Sequence, residues 1–110
     1  MTRLFEEMAN LNRLIHDPSR LAILTALSSC ESADFTFLRK LTGMTAGNLS
    51  AHIAKLEESK LVKQEKKFVN NRPNTLVKIT DLGLETINNH WDHLQALRKK
   101  TNNIDLNSQE

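Results

Sequence analysis

Residues 37–80 read FLRKLTGMTAGNLSAHIAKLEESKLVKQEKKFVNNRPNTLVKIT, and their pattern is the strongest indication of the fold. A short helix is predicted to end at Gly43, because glycine tolerates the left-handed conformation found at helix C-termini. Thr45 then supplies a good N-cap for a second helix, which is predicted to run to about Ser59. The order is that of a helix-turn-helix over about residues 35–59.

A β-hairpin is predicted to follow the two helices. Leu61 and Val62 begin its first strand, and Thr75–Ile79, rich in β-branched residues, form the returning strand. Between them, Asn70–Asn74 has the composition of a turn. The pattern therefore predicts a wing over about residues 61–79.

The segment before the helix pair is predicted to hold one helix and one short strand. Asp17 is suited to cap a helix that begins at Pro18, where the missing N–H of proline costs nothing. That helix is predicted to run to about Ser29. The alternation over Phe35–Phe37 is predicted as a short strand.

The first and last segments of the chain carry apolar stripes. Steps of three and four residues predict one apolar helix face over residues 2–15 and another over about residues 80–99. Since a chain of 110 residues builds a modest core, we expect both stripes to be buried partly against a second subunit. The candidate dimer contacts are Leu4, Met8, Leu11, Ile87, Trp91 and Leu94.

These elements predict one domain over residues 1–100, followed by a polar, disordered tail over residues 101–110. The predicted fold class is mainly α with a small β-hairpin (α+β). It is a winged helix-turn-helix whose N- and C-terminal helices form a dimer interface.

Positive charge is concentrated in one part of the chain. The net charge is only +2, but residues 39–78 hold nine Lys or Arg against three Glu, a net charge of +6. Such a segment is the electrostatic footprint expected of a nucleic-acid-binding face. Charge clustering alone would equally suit an ordinary solvated surface.

The second helix of the pair has a core face and a face of small and polar residues. At about 100° per residue, Ile53 and Leu56 fall close to Leu49, so these three are predicted to pack on the core. The other face has no bulky apolar residue, which allows close approach to a DNA groove. The predicted DNA-binding residues of this helix are Thr45, Ala46, Gly47, Asn48, Ser50, Ala51, His52 and Lys55.

The polar residues on this face have different expected roles. Asn48 is the best candidate for a base contact, because asparagine pairs bidentately with adenine. Thr45, Ser50 and Lys55 are predicted to contact phosphates. His52 lies near the edge of the core face, where a packing role is at least as well supported as a DNA contact.

The predicted wing ends in a stiff turn that carries one arginine. Arg72 precedes Pro73 and is flanked by asparagines, which suits insertion of the arginine into a minor groove. Lys66 and Lys67 can neutralise phosphates along the same ribbon. Because lysines also protect edge strands from aggregation, the wing supports DNA binding only together with the helix that precedes it.

Other classes of function find no support in the sequence. The apolar runs are too short to span a bilayer, and the acidic, amphipathic N-terminus does not look like a signal peptide. The single cysteine, Cys30, cannot form an internal disulfide, which fits a reducing cytoplasm. No Gly-rich phosphate loop, HExxH motif or supported Ser, His and Asp grouping occurs, so neither an enzyme nor a cofactor is predicted.

The sequence resembles two families of regulators. Asp17–Leu24 looks like the opening helix signature of ArsR-type winged-helix repressors, and Leu49–Glu57 looks like their recognition helix. Asn71–Thr75 followed by Ile79–Gly83 is similar to the wing of MarR-type regulators. The resemblance covers about residues 11–90. It implies a homodimer that places each recognition helix in a major groove and each wing at the flanking minor groove.

One departure from the resemblance concerns metals. ArsR-type metal sensors often carry a cysteine pair in the helix before the recognition helix, and Phe37–Leu41 has none. His90 and His93 lie one helical turn apart, but two ligands are too few for a zinc site. No metal site is therefore predicted.

The leading prediction is a cytoplasmic, dimeric repressor that binds double-stranded DNA sequence-specifically. One alternative is a protein–protein interaction module, in which the apolar stripes around Leu11 and Trp91 bind another protein and the basic wing is merely solvated. A metal-responsive sensor built on His90 and His93 is the third hypothesis. No membrane partner is predicted, and the sequence identifies no pocket for a small-molecule effector.

Overall fold

A computed structural model describes residues 13–108, with side chains described for residues 13–102. This part of the chain holds four helices and a three-stranded antiparallel sheet of order β1-β3-β2, which confirms the predicted winged helix-turn-helix. The helices are α1 (Pro18–Ser28), α2 (Phe35–Thr42), α3 (Ala46–Glu58) and α4 (Asp81–Ser108). The strands are β1 (Ala33–Asp34), β2 (Val62–Val69) and β3 (Arg72–Ile79).

Side-chain caps set the starts of the first three helices. Asp17, Asp34 and Thr45 each accept a hydrogen bond from a backbone N–H in the first turn of α1, α2 and α3. Asp17 and Thr45 were the predicted caps, and both are confirmed. Gly43 ends α2 with a φ of 71°, the left-handed conformation that was expected there.

The predicted short strand over Phe35–Phe37 is wrong. The carboxylate of Asp34 accepts a hydrogen bond from the N–H of Phe37 at 2.6 Å, and α2 begins at Phe35. This cap outweighs the β propensity of the two phenylalanines. The strand is the preceding pair Ala33–Asp34, which is hydrogen-bonded to β3.

The core lies where α1, α3 and the sheet meet. Leu49, Ile53 and Leu56 of α3 are each at most 1% exposed, so the predicted core face of this helix is confirmed. They pack in one cluster with apolar residues of the other elements. Because this face of α3 packs on the core, the remaining residues of the helix point outward.

The wing turn is shorter than predicted. Asn70 and Asn71 alone form it, with φ values of 53° and 64°, and such a two-residue turn joins strands of right-handed twist well. Arg72 already pairs with Val69, so Arg72 and Pro73 belong to β3 rather than to the turn. The proline is tolerated because β3 has a partner on one side only at that point.

Helix α4 is longer than predicted. It runs to Ser108, past the predicted end near residue 99 and through most of the predicted disordered tail over 101–110. Residues 84–108 contain neither glycine nor proline, so nothing in them breaks the helical hydrogen bonds. The last two residues lie outside the described part.

The structure also corrects one predicted dimer contact. Ile87 is 1% exposed in the core of its own chain, because the stripe on α4 faces that core at this level. Trp91 is 41% exposed and Leu94 is half-buried, so both remain partly at the surface. The predicted contacts Leu4, Met8 and Leu11 lie outside the described residues. Within the described range, no helix has the length and apolar character needed to cross a membrane.

Candidate nucleic-acid interface

The outward face of α3 is made of small and polar residues. Its exposed members include Asn48, Ser50, Ala51 and Lys55, all predicted DNA contacts. Thr45, Ala46 and Gly47 are also exposed and lie at the start of the helix. Seven of the eight residues predicted to bind DNA from this helix and its cap are therefore exposed.

His52, the eighth, is half-buried and has a partner inside the chain. Its Nδ1 lies 3.2 Å from a guanidinium nitrogen of Arg20 on α1. Because arginine can only donate, a hydrogen bond here has Nδ1 of His52 as its acceptor. This contact supports the packing role of His52.

Arg20 was missed by the sequence analysis. Its guanidinium also donates to the backbone carbonyl of Leu14 and lies 3.8 Å from a carboxylate oxygen of Asp17. Burial acts to raise the pKa of Asp17, but hydrogen bonds from the backbone N–H groups of Arg20 and Ser19 and the positive charge of Arg20 outweigh it and leave the pKa lowered. No local pattern predicts the contact of Arg20 with α3, because its partner there is 32 residues away.

A second unpredicted contact joins α3 to the wing. The carboxylate of Glu57 accepts hydrogen bonds from the backbone N–H of Gln64 at 2.9 Å and from its side-chain amide at 3.2 Å. The last turn of α3 is thereby fixed to the beginning of β2. Helix and wing are positioned as one unit, which a shared interface requires.

The wing presents its basic residues on both faces of a two-stranded ribbon. Lys67 and Arg72 belong to one face, since successive residues of a strand alternate, and Lys66 belongs to the other. Lys67 lies 3.6 Å from Glu65, which partly offsets its charge. Within the described chain, Lys66 and Arg72 have no ion-pair partner, so both are available to an anion.

The base of the wing is anchored to α4 through Thr80. Its hydroxyl lies 2.7 Å from the carbonyl oxygen of Lys60 and 3.1 Å from that of Leu61, and it accepts the N–H of Gly83 at 3.0 Å. Gly83 packs against the same loop so closely that a Cβ atom would lie 2.1 Å from the carbonyl oxygen of Leu61. The direction of the wing is therefore set from both of its ends.

The two histidines considered for metal binding have different surroundings. His90 is 4% exposed, and its Nε2 lies 3.3 Å from Nδ1 of His16, in the segment before α1. Burial lowers the pKa of His90, and the positive charges of His16 and His93 lower it further. Among the described residues, no group of three or more His, Cys, Asp and Glu has the arrangement of a metal site.

Comparison with known proteins places this geometry in a family. A family model described as winged helix DNA-binding domain matches residues 19–98, which include the helix pair, the wing and most of α4. The chain belongs to this family. The resemblance to winged-helix regulators that the sequence suggested is therefore confirmed.

Individual relatives agree with the family match. The chain is similar to a transcriptional regulator homologue from Pyrococcus horikoshii OT3, with 35% identity, coverage of 92% of this chain and 98% of that one, and a TM-score of 0.79. It is 31% identical to an uncharacterized protein of Methanocaldococcus jannaschii, over 79% of this chain and 95% of that protein. The MepR–DNA complex of S. aureus shares the fold, with a TM-score of 0.70 at 14% identity, and covers 98% of this chain and 92% of that chain.

Proposed function

We propose that this protein is a sequence-specific, double-stranded DNA-binding regulator of transcription. The observation that carries the proposal is the small and polar face of α3 beside a basic ribbon, with Glu57 fixing the two together. In this arrangement α3 enters a major groove with Asn48 and Ala51 toward the base edges. Thr45, Ser50 and Lys55 meet phosphates.

The wing supplies the second set of contacts. Arg72 enters the flanking minor groove, and Lys66 and Lys67 neutralise phosphates beside it. The exposure of all three side chains on the projecting ribbon supports these roles. The net charge of +6 over residues 39–78 makes the same surface attractive to DNA at long range.

The proposal includes a homodimer that acts in the cytoplasm as a repressor, by blocking access of polymerase to its operator. An open apolar groove supports a second subunit as the partner of α4, since Trp91 shares the lining with Leu21 of α1 and Leu41 of α2. Leu94 and the N-terminal residues Leu4, Met8 and Leu11 extend the proposed contact. A dimer of this kind reads two half-sites about 34–36 Å apart, one turn of DNA. Its operator is then pseudo-palindromic.

Fluorescence anisotropy with random duplex DNA at low salt is the first test. We expect binding that weakens steeply with salt, because phosphate contacts release counterions. Selection of bound genomic fragments should then yield a pseudo-palindrome, and light scattering should give the mass of a dimer. If the protein binds no duplex at low salt but does bind another protein, the chain would be assigned to the protein–protein interaction modules.

A further inference from the structure

Phe68 has the most exposed large apolar side chain in the described part of the chain, at 79%. It lies on β2 directly opposite Pro73 of β3, next to the pair that closes the wing turn. Opposed residues of an antiparallel pair lie on the same face of the ribbon, so Phe68 and Pro73 together form one small apolar surface. We name this surface, Phe68 with Pro73, the apolar tip.

The apolar tip is surrounded by positive charge. Lys66 lies on the same face of the ribbon, and Lys67 and Arg72 lie on the opposite face within two residues of Phe68 or its partner. All three basic side chains are exposed. A surface of this composition is complementary to a partner that is anionic and also offers apolar groups.

The position of the ribbon leaves the apolar tip uncovered. Strand β1 pairs with β3 only at Val77 and Leu76, so the four outermost residue pairs of the wing form a free two-stranded ribbon. At about 3.4 Å per residue, this ribbon projects roughly 14 Å beyond β1. No described residue of the core reaches that far along it, as the exposure of Phe68 attests.

We propose that the apolar tip packs against the deoxyriboses of one minor-groove wall while Arg72 faces the other wall. The inference rests on the proposed function and adds an apolar contact to it. A ribbon that enters a groove end-on turns its two faces toward the two walls, and here Phe68 and Pro73 lie on one face and Arg72 on the other. Proteins that bind the minor groove frequently combine arginine or lysine with apolar side chains that contact the DNA.

The first test measures DNA affinity for Phe68→Ala at several salt concentrations, with the selected operator as duplex. We expect roughly tenfold weaker binding, because an apolar contact is lost. The slope of log affinity against log salt concentration should stay unchanged, because this contact displaces no counterion. Phe37→Ala serves as the matched control, since it removes another exposed phenylalanine, 51% accessible, from α2. Unchanged affinity of Phe68→Ala, or an equal loss in Phe37→Ala, would overturn the proposal.

The second test places the side chain directly. Replacement of Phe68 by the photoreactive p-benzoylphenylalanine should give a covalent adduct with the duplex after irradiation. The excited ketone abstracts a hydrogen atom from a nearby C–H bond of the sugar, and the two carbon radicals that result combine into a C–C bond. Adducts between two protein chains alone would overturn the proposal. Binding of the wild-type protein to phosphatidylserine vesicles that is lost in Phe68→Ala, with DNA affinity unchanged, would reassign the tip to a membrane surface.

These outcomes separate the two proposals from each other. If the wild-type protein binds no duplex, the proposed function fails and the apolar tip fails with it. If the wild-type protein binds DNA and Phe68→Ala binds it equally well, only the apolar tip fails.

Discussion

The guanidinium of Arg20 lies 3.2 Å from Nδ1 of His52 and so joins the first turn of α1 to the middle of α3. The same group donates to the backbone carbonyl of Leu14, in the segment before α1. Because the Arg20 side chain is only 12% exposed, water competes only weakly for the donors of these hydrogen bonds. The orientation of α3 therefore depends on a residue of another helix.

Arg20→Lys should lower the free energy of unfolding by about 1–3 kcal/mol, since lysine cannot reproduce the several fixed donors of the guanidinium. It should also weaken DNA binding under conditions where the variant is fully folded, because α3 loses its tether through His52. Urea unfolding and anisotropy measure the two effects. Arg39→Lys, at an exposed position of α2, is the control and should leave stability unchanged. Equal stability of the two variants would contradict the role of Arg20.

The features that could be predicted from the sequence are local ones. The core face of α3 follows from the spacing of Leu49, Ile53 and Leu56, and the caps Asp17 and Thr45 act within three residues of themselves. Their physical causes lie inside one short window of sequence. Pattern analysis is suited to such windows.

The features that escaped prediction depend on distant partners. The contact of Arg20 with His52 spans 32 residues, and the contact of Glu57 with Gln64 crosses from a helix to a strand. The stripe on α4 likewise led to the prediction that Ile87 contacts a second subunit, because the spacing of a stripe does not say which surface covers it. The structure places that residue in the core of its own chain.

The free energy of unfolding should decrease as the pH falls below about 6.5, through His90. Burial and the charges of His16 and His93 lower the pKa of His90, so the unfolded chain takes up its proton at a higher pH than the folded chain. Between the pKa of His90 in the folded chain and its higher value in the unfolded chain, the unfolded state binds more protons. The folded state is therefore less stable as the solution becomes more acidic. Urea unfolding between about pH 7.5 and pH 5.5 measures the slope.

Two substitutions resolve the causes of that slope. His90→Gln should remove this contribution, because the buried titrating group is gone. His16→Gln should remove only part of it, since burial is the larger cause of the lowered pKa and the charge of His16 the smaller. A slope that is the same in His90→Gln as in the wild-type protein would refute the assignment.

Gly83→Ala should destabilise the protein by about 2–3 kcal/mol or more, because the new methyl group forces apart the junction of wing and α4. The added Cβ would lie 2.1 Å from the carbonyl oxygen of Leu61 and 2.8 Å from the side chain of Ile79. Gly47→Ala is the matched control. No atom lies within 4 Å of the position of its Cβ, so it should stabilise α3 by up to about 1 kcal/mol. Thermal unfolding measures the stability of both variants. A similar melting temperature for the two would contradict the close packing of Gly83 at this junction.

Asn48→Ala should relax the sequence preference of DNA binding more than it lowers affinity for random duplex. The reason is that a bidentate contact from asparagine to adenine discriminates by about 1–3 kcal/mol against the other bases. Competition between the selected operator and its point variants measures the preference. Lys55 is exposed and is proposed to contact phosphate, so Lys55→Ala should instead weaken binding to all duplexes alike. A uniform loss for Asn48→Ala would assign Asn48 to the phosphates.

Arg72→Ala should weaken DNA binding and reduce the number of counterions released by about one for each bound subunit, because an exposed cation leaves the proposed interface. The loss should be larger for operators whose flanking minor groove is narrow, since a narrow groove attracts arginine most strongly. Anisotropy titrations over a salt series, with flanks of A-tract or mixed sequence, measure both effects. Arg39→Ala removes the same charge from α2 and controls for the loss of net charge alone. If the two variants change the salt slope and the flank preference equally, Arg72 acts only through the overall field of the protein and the wing does not read the groove.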